Sequence, residues 1–191
     1  MQNMRLPPLN SPPFYRLISA GFVLAIFLFT LIARDIVDYL KVLHIKNAVI
    51  VALFVMSLLG GGLYLARRRA HLTPGRVICL ITLTGILGII LHHMKVPEER
   101  VHFLEFGILA LLLRKTFSFQ YSLPGQYTLA ILLTVLVGIS DEVLQYFLPS
   151  RYFDLRDIAF NSLAAVFAIF YFEIHREPRI NVLPNGAKSN T

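Results

Sequence analysis

The sequence predicts an all-α integral membrane protein, folded as a compact bundle of about six transmembrane helices. Hydrophobic residues make up 56% of the 191 residues and charged residues only 15%, which is far more apolar than a soluble domain. The mean hydropathy is +0.65. The apolar residues form long runs separated by short charged or Pro- and Gly-bearing connections, a pattern typical of consecutive membrane spans.

Six apolar runs account for the predicted helices. The first run follows a Pro-rich leader with two arginines, but it is long for a signal peptide and lacks a small-residue cleavage site, so we expect an uncleaved span. The third, fourth and sixth runs reach spanning length only if their polar flanks are helical too. In chain order the runs are Leu17–Ala33, Ala48–Ala66, Val77–Leu91, Val101–Leu113, Tyr127–Phe147 and Ile158–Phe172.

The connections predict the organisation and orientation of the chain. We expect a leader over residues 1–16, two transmembrane helices within 17–76, a four-helix membrane domain over 77–172 and a flexible cytoplasmic tail over 173–191. With both termini cytoplasmic, 11 of the 18 Lys and Arg residues fall in cytoplasmic segments, as the positive-inside rule favours. Topology and anionic lipid explain the net charge of +7, and no nucleic-acid partner is expected.

A first polar cluster lies at the start of the fourth run, where His102 and Glu105 are three residues apart on one helical face. Ionisable side chains inside a membrane span are costly and indicate a functional site by default. A histidine beside a carboxylate is suited to general acid and base catalysis. The alternative is an ion pair that only ties helices together. Glu98 shares this face, but we expect it to stay solvated at the interface.

A second polar cluster ends the fifth run. Asp141 and Glu142 are adjacent and therefore face different directions around the helix, with Gln145 below both acids at i+4 and i+3. We expect only one acid to point into the bundle. Glu142 is favoured, because Tyr146 lies one turn further on and would supply a hydroxyl partner. For Asp141, a structural hydrogen-bonding role at the interface is an equal alternative.

A third polar cluster spans the next loop and the start of the sixth run. Asp154, Asp157 and Asn161 step by three and four along one helical face, and Arg151 precedes them. An arginine at the mouth of a membrane cavity is suited to bind a phosphate or carboxylate, whereas pairing with Asp154 or Asp157 is its structural alternative. Asp154 also fits the N-cap of the last helix, with Asp157 in the capping-box position.

The three clusters are predicted to meet in one pocket. The loops before the fourth and sixth runs and the end of the fifth run lie on the same side of the membrane in either orientation, and a rise of ~1.5 Å per residue places their polar groups at similar depth. The candidate catalytic residues are His102, Glu105 and Glu142, and the candidate substrate-binding residues are Gln145, Arg151, Asp157 and Asn161.

No metal site is assigned from the sequence. Oxygen ligands such as Glu105, Glu142 and Asp157 suit Mg²⁺ or Mn²⁺, and His102 would widen the choice, but no compact ligand motif is present. A divalent metal is conceivable but not favoured, and the cofactor stays open. Cys79 is the single cysteine, which excludes an intrachain disulfide.

Several short motifs follow one another between residues 99 and 161. They are Glu99-Arg100-Val101-His102-Phe103-Leu104-Glu105-Phe106, Asp141-Glu142-x-x-Gln145, Pro149-x-Arg151, Asp154-x-x-Asp157 and Asn161. Together they resemble the VanZ-like family over about Ile78–Phe172, which makes residues 77–172 a VanZ-like domain. The roles of Glu99, Arg100, Asp141 and Asp154 within this pattern are structural or open. The family often has glycines after the asparagine, where this chain has alanines.

The resemblance implies a multi-pass protein of the bacterial cytoplasmic membrane, in a family named for a member associated with resistance to the glycopeptide antibiotic teicoplanin. We expect a polar extracytoplasmic pocket that binds or acts on an anionic envelope lipid or a lipid-linked glycan. The alternative is a non-catalytic module for lipid or amphiphile binding, transport or assembly, linked to envelope stress or glycopeptide resistance. Whether the protein is an enzyme stays open.

Overall fold

The computed structural model describes residues 8–44, 48, 52, 55–56, 73–94, 97–149 and 151–174. Within these ranges the regular structure is entirely helical, as the sequence predicts. The helices whose bounds lie within the described residues are α1 (Pro12–Val42), α2 (Pro74–His93), α3 (Pro97–Phe117), α4 (Leu123–Tyr146) and α5 (Leu155–Ile174).

The helices extend beyond the apolar runs into their polar flanks. α1 begins within the predicted leader, and α5 ends at Ile174, just inside the predicted tail. Prolines define several starts: Pro12 and Pro74 occupy the first turns of α1 and α2, where a missing N–H costs nothing and the fixed φ angle favours the helix. Residues 175–191 of the tail lie outside the described ranges.

Four of the described helices, α1, α2, α4 and α5, are long and apolar enough to cross a membrane. The span predicted within α3 is not among them, because charged residues near both of its ends interrupt the apolar stretch. The predicted span Ala48–Ala66 lies almost entirely outside the described residues. An all-α, multi-pass membrane architecture is therefore confirmed, and the number of about six spans is not.

α3 is the central helix of the bundle and packs against α1, α4 and α5. Its inner residues Phe106, Leu109 and Ala110 are fully buried. Ala164 and Ala165 on α5 are also buried, and such small side chains allow neighbouring helices to approach closely. Large apolar side chains cover the outside of the bundle, as expected for a surface that faces lipid.

The bundle has a different polar group at each end. α1 runs antiparallel to α3, so Ser19 reaches Thr116 near the end of α3, while Thr30 reaches Asp141 near the end of α4. The C-terminal halves of α1 and α4 and the N-terminal halves of α3 and α5 therefore share one end, which we call the carboxylate end.

At the opposite end, basic residues form contacts that stabilise the packing of the helices. Arg114 on α3 pairs with Glu173 on α5, and its guanidinium lies 4.6 Å from the ring centroid of Phe172. The neighbouring Lys115 lies over Phe119, with its Nζ 4.8 Å from the ring centroid. Paired charges and cation–π contacts of this kind anchor helix ends at a membrane interface.

Candidate functional site

Two buried carboxylates joined by one amide form the centre of the carboxylate end. Asp141 is 0% exposed and Glu142 is 1% exposed. The Nε2 atom of Gln145 donates to Asp141 Oδ2 at 3.0 Å and to Glu142 Oε1 at 3.1 Å. Because Gln145 follows the two acids by four and three residues, one turn of α4 is enough to bring the amide to both of them.

The prediction that only one acid would point into the bundle is wrong. Each acid has its own partner on a different side of α4. Thr30 of α1 donates its hydroxyl to Asp141 Oδ1 at 2.5 Å, and the backbone N–H of Asp154 donates to Glu142 Oε2 at 3.0 Å. Both carboxylates are thus buried with hydrogen bonds to each oxygen, which offsets much of the cost of removing them from water.

Tyr146, the predicted hydroxyl partner of Glu142, is 65% exposed and packs edge-to-face on Phe147. The backbone N–H of Asp154 takes the place that the tyrosine hydroxyl was expected to fill.

Thr30 is the site residue that the sequence did not reveal. A single threonine inside an apolar run does not indicate a functional site, because nothing in the surrounding sequence distinguishes it.

Arg151 is held by the other end of the same amide. Its Nη1 atom donates to Gln145 Oε1 at 3.1 Å. Within the described ranges Arg151 has no carboxylate at salt-bridge distance, so the alternative pairing with Asp154 or Asp157 is not formed. Gln145 therefore binds the two acids through its nitrogen and the arginine through its oxygen.

Asp154 caps α5, as the structural alternative predicted. Its Oδ1 atom accepts the backbone N–H of Arg156 at 2.8 Å, which is the usual bond of an N-cap carboxylate. The predicted capping box with Asp157 is not formed, because the backbone N–H of Asp154 is already bonded to Glu142. Asp157 stays half-buried, where its charge interacts with those of His102 and Arg151.

His102 and Glu105 bring α3 into the same site. Nδ1 of His102 lies 3.3 Å from Glu105 Oε2, but the two atoms are not aligned for a hydrogen bond. The histidine is close enough to Asp141, Glu142 and Asp157 for their charges to interact with it. Side chains from α1, α3, α4 and α5 thus converge at one end of the bundle.

The remaining predicted residues lie around this centre. Asn161 is 2% exposed and packs where α5 crosses α4 at Gly138. Arg100 donates to the carbonyl oxygen of Met94 at 3.3 Å and so holds the corner between α2 and α3. Glu99 is half-buried on the same turn. The Glu98 side chain lies outside what the structure describes.

The arrangement favours hydrogen bonding over metal binding. Among the described residues, no group of three or more His, Cys, Asp or Glu side chains is placed to hold a metal ion. All four oxygens of Asp141 and Glu142 already accept hydrogen bonds from neutral groups. Cys79 is exposed on α2.

Apolar helices that enclose hydrogen-bonded carboxylates at one end define a multi-pass membrane protein with a buried polar cluster. A family model described as VanZ/LLP1 matches residues 22–176, and the chain belongs to that family. The match begins within α1 and so extends well beyond the region Ile78–Phe172 that carries the sequence resemblance. No curated protein matches the chain, and no solved structure does.

We predict that Thr30→Val destabilises the protein by about 1–3 kcal/mol, because it leaves a buried oxygen of Asp141 without its hydroxyl donor. Thr134→Val is the matched control. Thr134 is also fully buried, but its hydroxyl donates only to the Ala130 carbonyl of its own helix, which already accepts a helical N–H. Thermal unfolding followed by circular dichroism in one detergent measures both variants. Equal losses would refute a special role for the bond to Asp141.

Proposed function

We propose that this protein resides in the bacterial inner membrane and binds or acts on the anionic headgroup of an envelope lipid or lipid-linked glycan. The position of Arg151 carries this proposal. Its guanidinium donates one hydrogen bond to a neutral amide, and no carboxylate among the described residues lies within salt-bridge distance of it. A guanidinium held in this way retains both its charge and most of its donors for a phosphate or carboxylate group.

The groups around Arg151 would supply proton transfer to the bound headgroup. Glu142 lies on one side of Gln145, and the His102–Glu105 pair approaches from α3. Carboxyl and imidazole groups are the usual general acids and bases. In this proposal Arg151 binds the headgroup, Gln145 positions Arg151, and Glu142 and His102 take up or release protons.

We place this end of the bundle on the extracytoplasmic side. The opposite end holds Arg114 and Lys115, and the distribution of Lys and Arg favours cytoplasmic termini. The headgroup would then enter from the outer leaflet. The apolar core around Phe106 and Leu109 separates the two ends, which supports binding from one side more than passage across the bundle.

A non-catalytic module that binds a lipid or amphiphile, or assists transport or assembly, is the second candidate. The observation that favours it is the complete hydrogen bonding of Asp141 and Glu142. Such a network also serves a scaffold whose only task is to orient Arg151. We propose a link to envelope stress or glycopeptide resistance for the catalytic and for the non-catalytic protein alike.

We predict that Arg151→Gln weakens binding of an anionic lipid roughly 10- to 100-fold, the value of one or two charge-assisted hydrogen bonds. Calorimetric titration of the purified full chain with dioctanoyl-phosphatidylglycerol, in a zwitterionic detergent, measures the change. Arg156→Gln is the control, because Arg156 is exposed and lies over Phe160. Equal loss in the two variants would mean that only net charge matters and would overturn the assignment of Arg151.

A second prediction separates catalysis from binding. Glu142→Gln and His102→Gln keep side-chain size but remove the groups that transfer protons, so an enzyme should lose turnover while lipid affinity changes little. Mass spectrometry of envelope lipids compares cells that express the wild type, each variant or no protein. If deletion changes the lipids and both variants restore them fully, the protein is not an acid–base enzyme and the binding module stands.

A further inference from the structure

Four buried polar atoms around the Gln145 network have no hydrogen-bond partner. They are Asn161 Oδ1, Glu105 Oε2, His102 Nδ1 and Arg151 Nε. Buried polar atoms in folded proteins are nearly always bonded, and each exception needs a physical reason. Among the described residues, four of the eight such atoms belong to the candidate site, whereas the four oxygens of Asp141 and Glu142 are all bonded.

The four atoms differ in what they can bind. Asn161 Oδ1 is an acceptor and requires a donor, whereas Arg151 Nε is a donor and requires an acceptor. Glu105 Oε2 is also an acceptor, and it lies 3.3 Å from His102 Nδ1 without a hydrogen bond between them. His102 Nδ1 serves as either, depending on the tautomer. The open positions are therefore complementary to a molecule that carries an acidic oxygen and, close to it, hydroxyl or amino hydrogens.

Asn161 supplies the observation that points most directly to a ligand. It is 2% exposed, and α4 presents Gly138 opposite it. A Cβ atom at Gly138 would lie 3.5 Å from Asn161 Cβ and 3.6 Å from Asn161 Nδ2. Gly138 thus lies against the asparagine and has no side chain that could donate to its oxygen. Asn161 also follows Asp157 by one helical turn, and the charge of Asp157 interacts with those of His102 and Arg151. A buried amide at this position is suited to bind a polar group that enters the site.

We propose that the ligand is a phosphate diester whose headgroup carries hydroxyl groups next to the phosphate, as glycerol and sugar headgroups do. The inference rests on the proposed function and names its substrate class. The phosphate binds Arg151, and the hydroxyls donate to Glu105 and Asn161. A glycerol phospholipid and a lipid-linked sugar share this chemistry.

Other phosphate headgroups match the open atoms less well. Choline has no N–H or O–H donor. A primary ammonium carries its donors on a single nitrogen, whereas Glu105 and Asn161 lie on different helices, α3 and α5. Two separate hydroxyls satisfy acceptors on two helices more readily than one nitrogen does.

The test compares two anionic lipids, one with headgroup hydroxyls and one without. Phosphatidylglycerol and phosphatidylethanol are both singly charged phosphate diesters, and the second lacks hydroxyl groups. In calorimetric titration of the purified full chain with the dioctanoyl forms, we expect phosphatidylglycerol to bind about tenfold more tightly, which corresponds to one net hydrogen bond. In Asn161→Leu we expect this preference to fall severalfold while binding of phosphatidylethanol is retained.

The outcomes separate the two proposals. Equal affinity of the wild type for the two lipids overturns the hydroxyl assignment and leaves anionic-lipid binding intact. Failure of both lipids to bind better than phosphatidylcholine overturns the proposed function itself. If phosphatidylethanolamine binds more tightly than phosphatidylglycerol, the donor is an ammonium group and not a hydroxyl, and the assignment is overturned. A preference of a soluble sugar phosphate over phosphatidylglycerol would identify the lipid-linked sugar as the source. Because the wild-type comparison is decisive alone, misfolding of Asn161→Leu does not remove the test.

Discussion

The hydrogen bonds of the Gln145 side chain are the interaction on which the rest of the site depends. In an apolar bundle a carboxylate is tolerated only when donors replace the water it has lost. One amide nitrogen provides such donors to both Asp141 and Glu142, and the amide oxygen holds Arg151. Since Thr30 and the backbone of Asp154 complete the same network, it joins α1, α4 and the start of α5.

The position of this network explains the distribution of polarity along the bundle. The carboxylate end contains the candidate site, and the opposite end contains the Arg114–Glu173 pair. Between the two ends, α3 contributes Phe106, Leu109 and Ala110, all fully buried. A packed apolar layer of this kind keeps the two polar ends separate.

Much of this architecture could be predicted from the sequence, because long apolar runs and i+3 and i+4 spacings are local properties. They indicated the helices, the position of Gln145 below both acids and the cap at Asp154. Contacts between distant helices leave no such trace. Thr30 could not be identified, and the burial of Asp141 was missed because helix phase gives the direction of a side chain but not which neighbouring helix lies there. Tyr146 faces outward for the same reason.

A double-mutant cycle between Gln145 and Arg151 tests the central claim most directly. Calorimetric affinity for an anionic lipid is measured for Gln145→Leu, Arg151→Gln and the double variant. If Gln145 acts by positioning Arg151, the double variant should be no weaker than Arg151→Gln alone, with a coupling energy of about 1 kcal/mol or more. Additive losses would contradict the account, because they would show that the two residues act on the lipid independently.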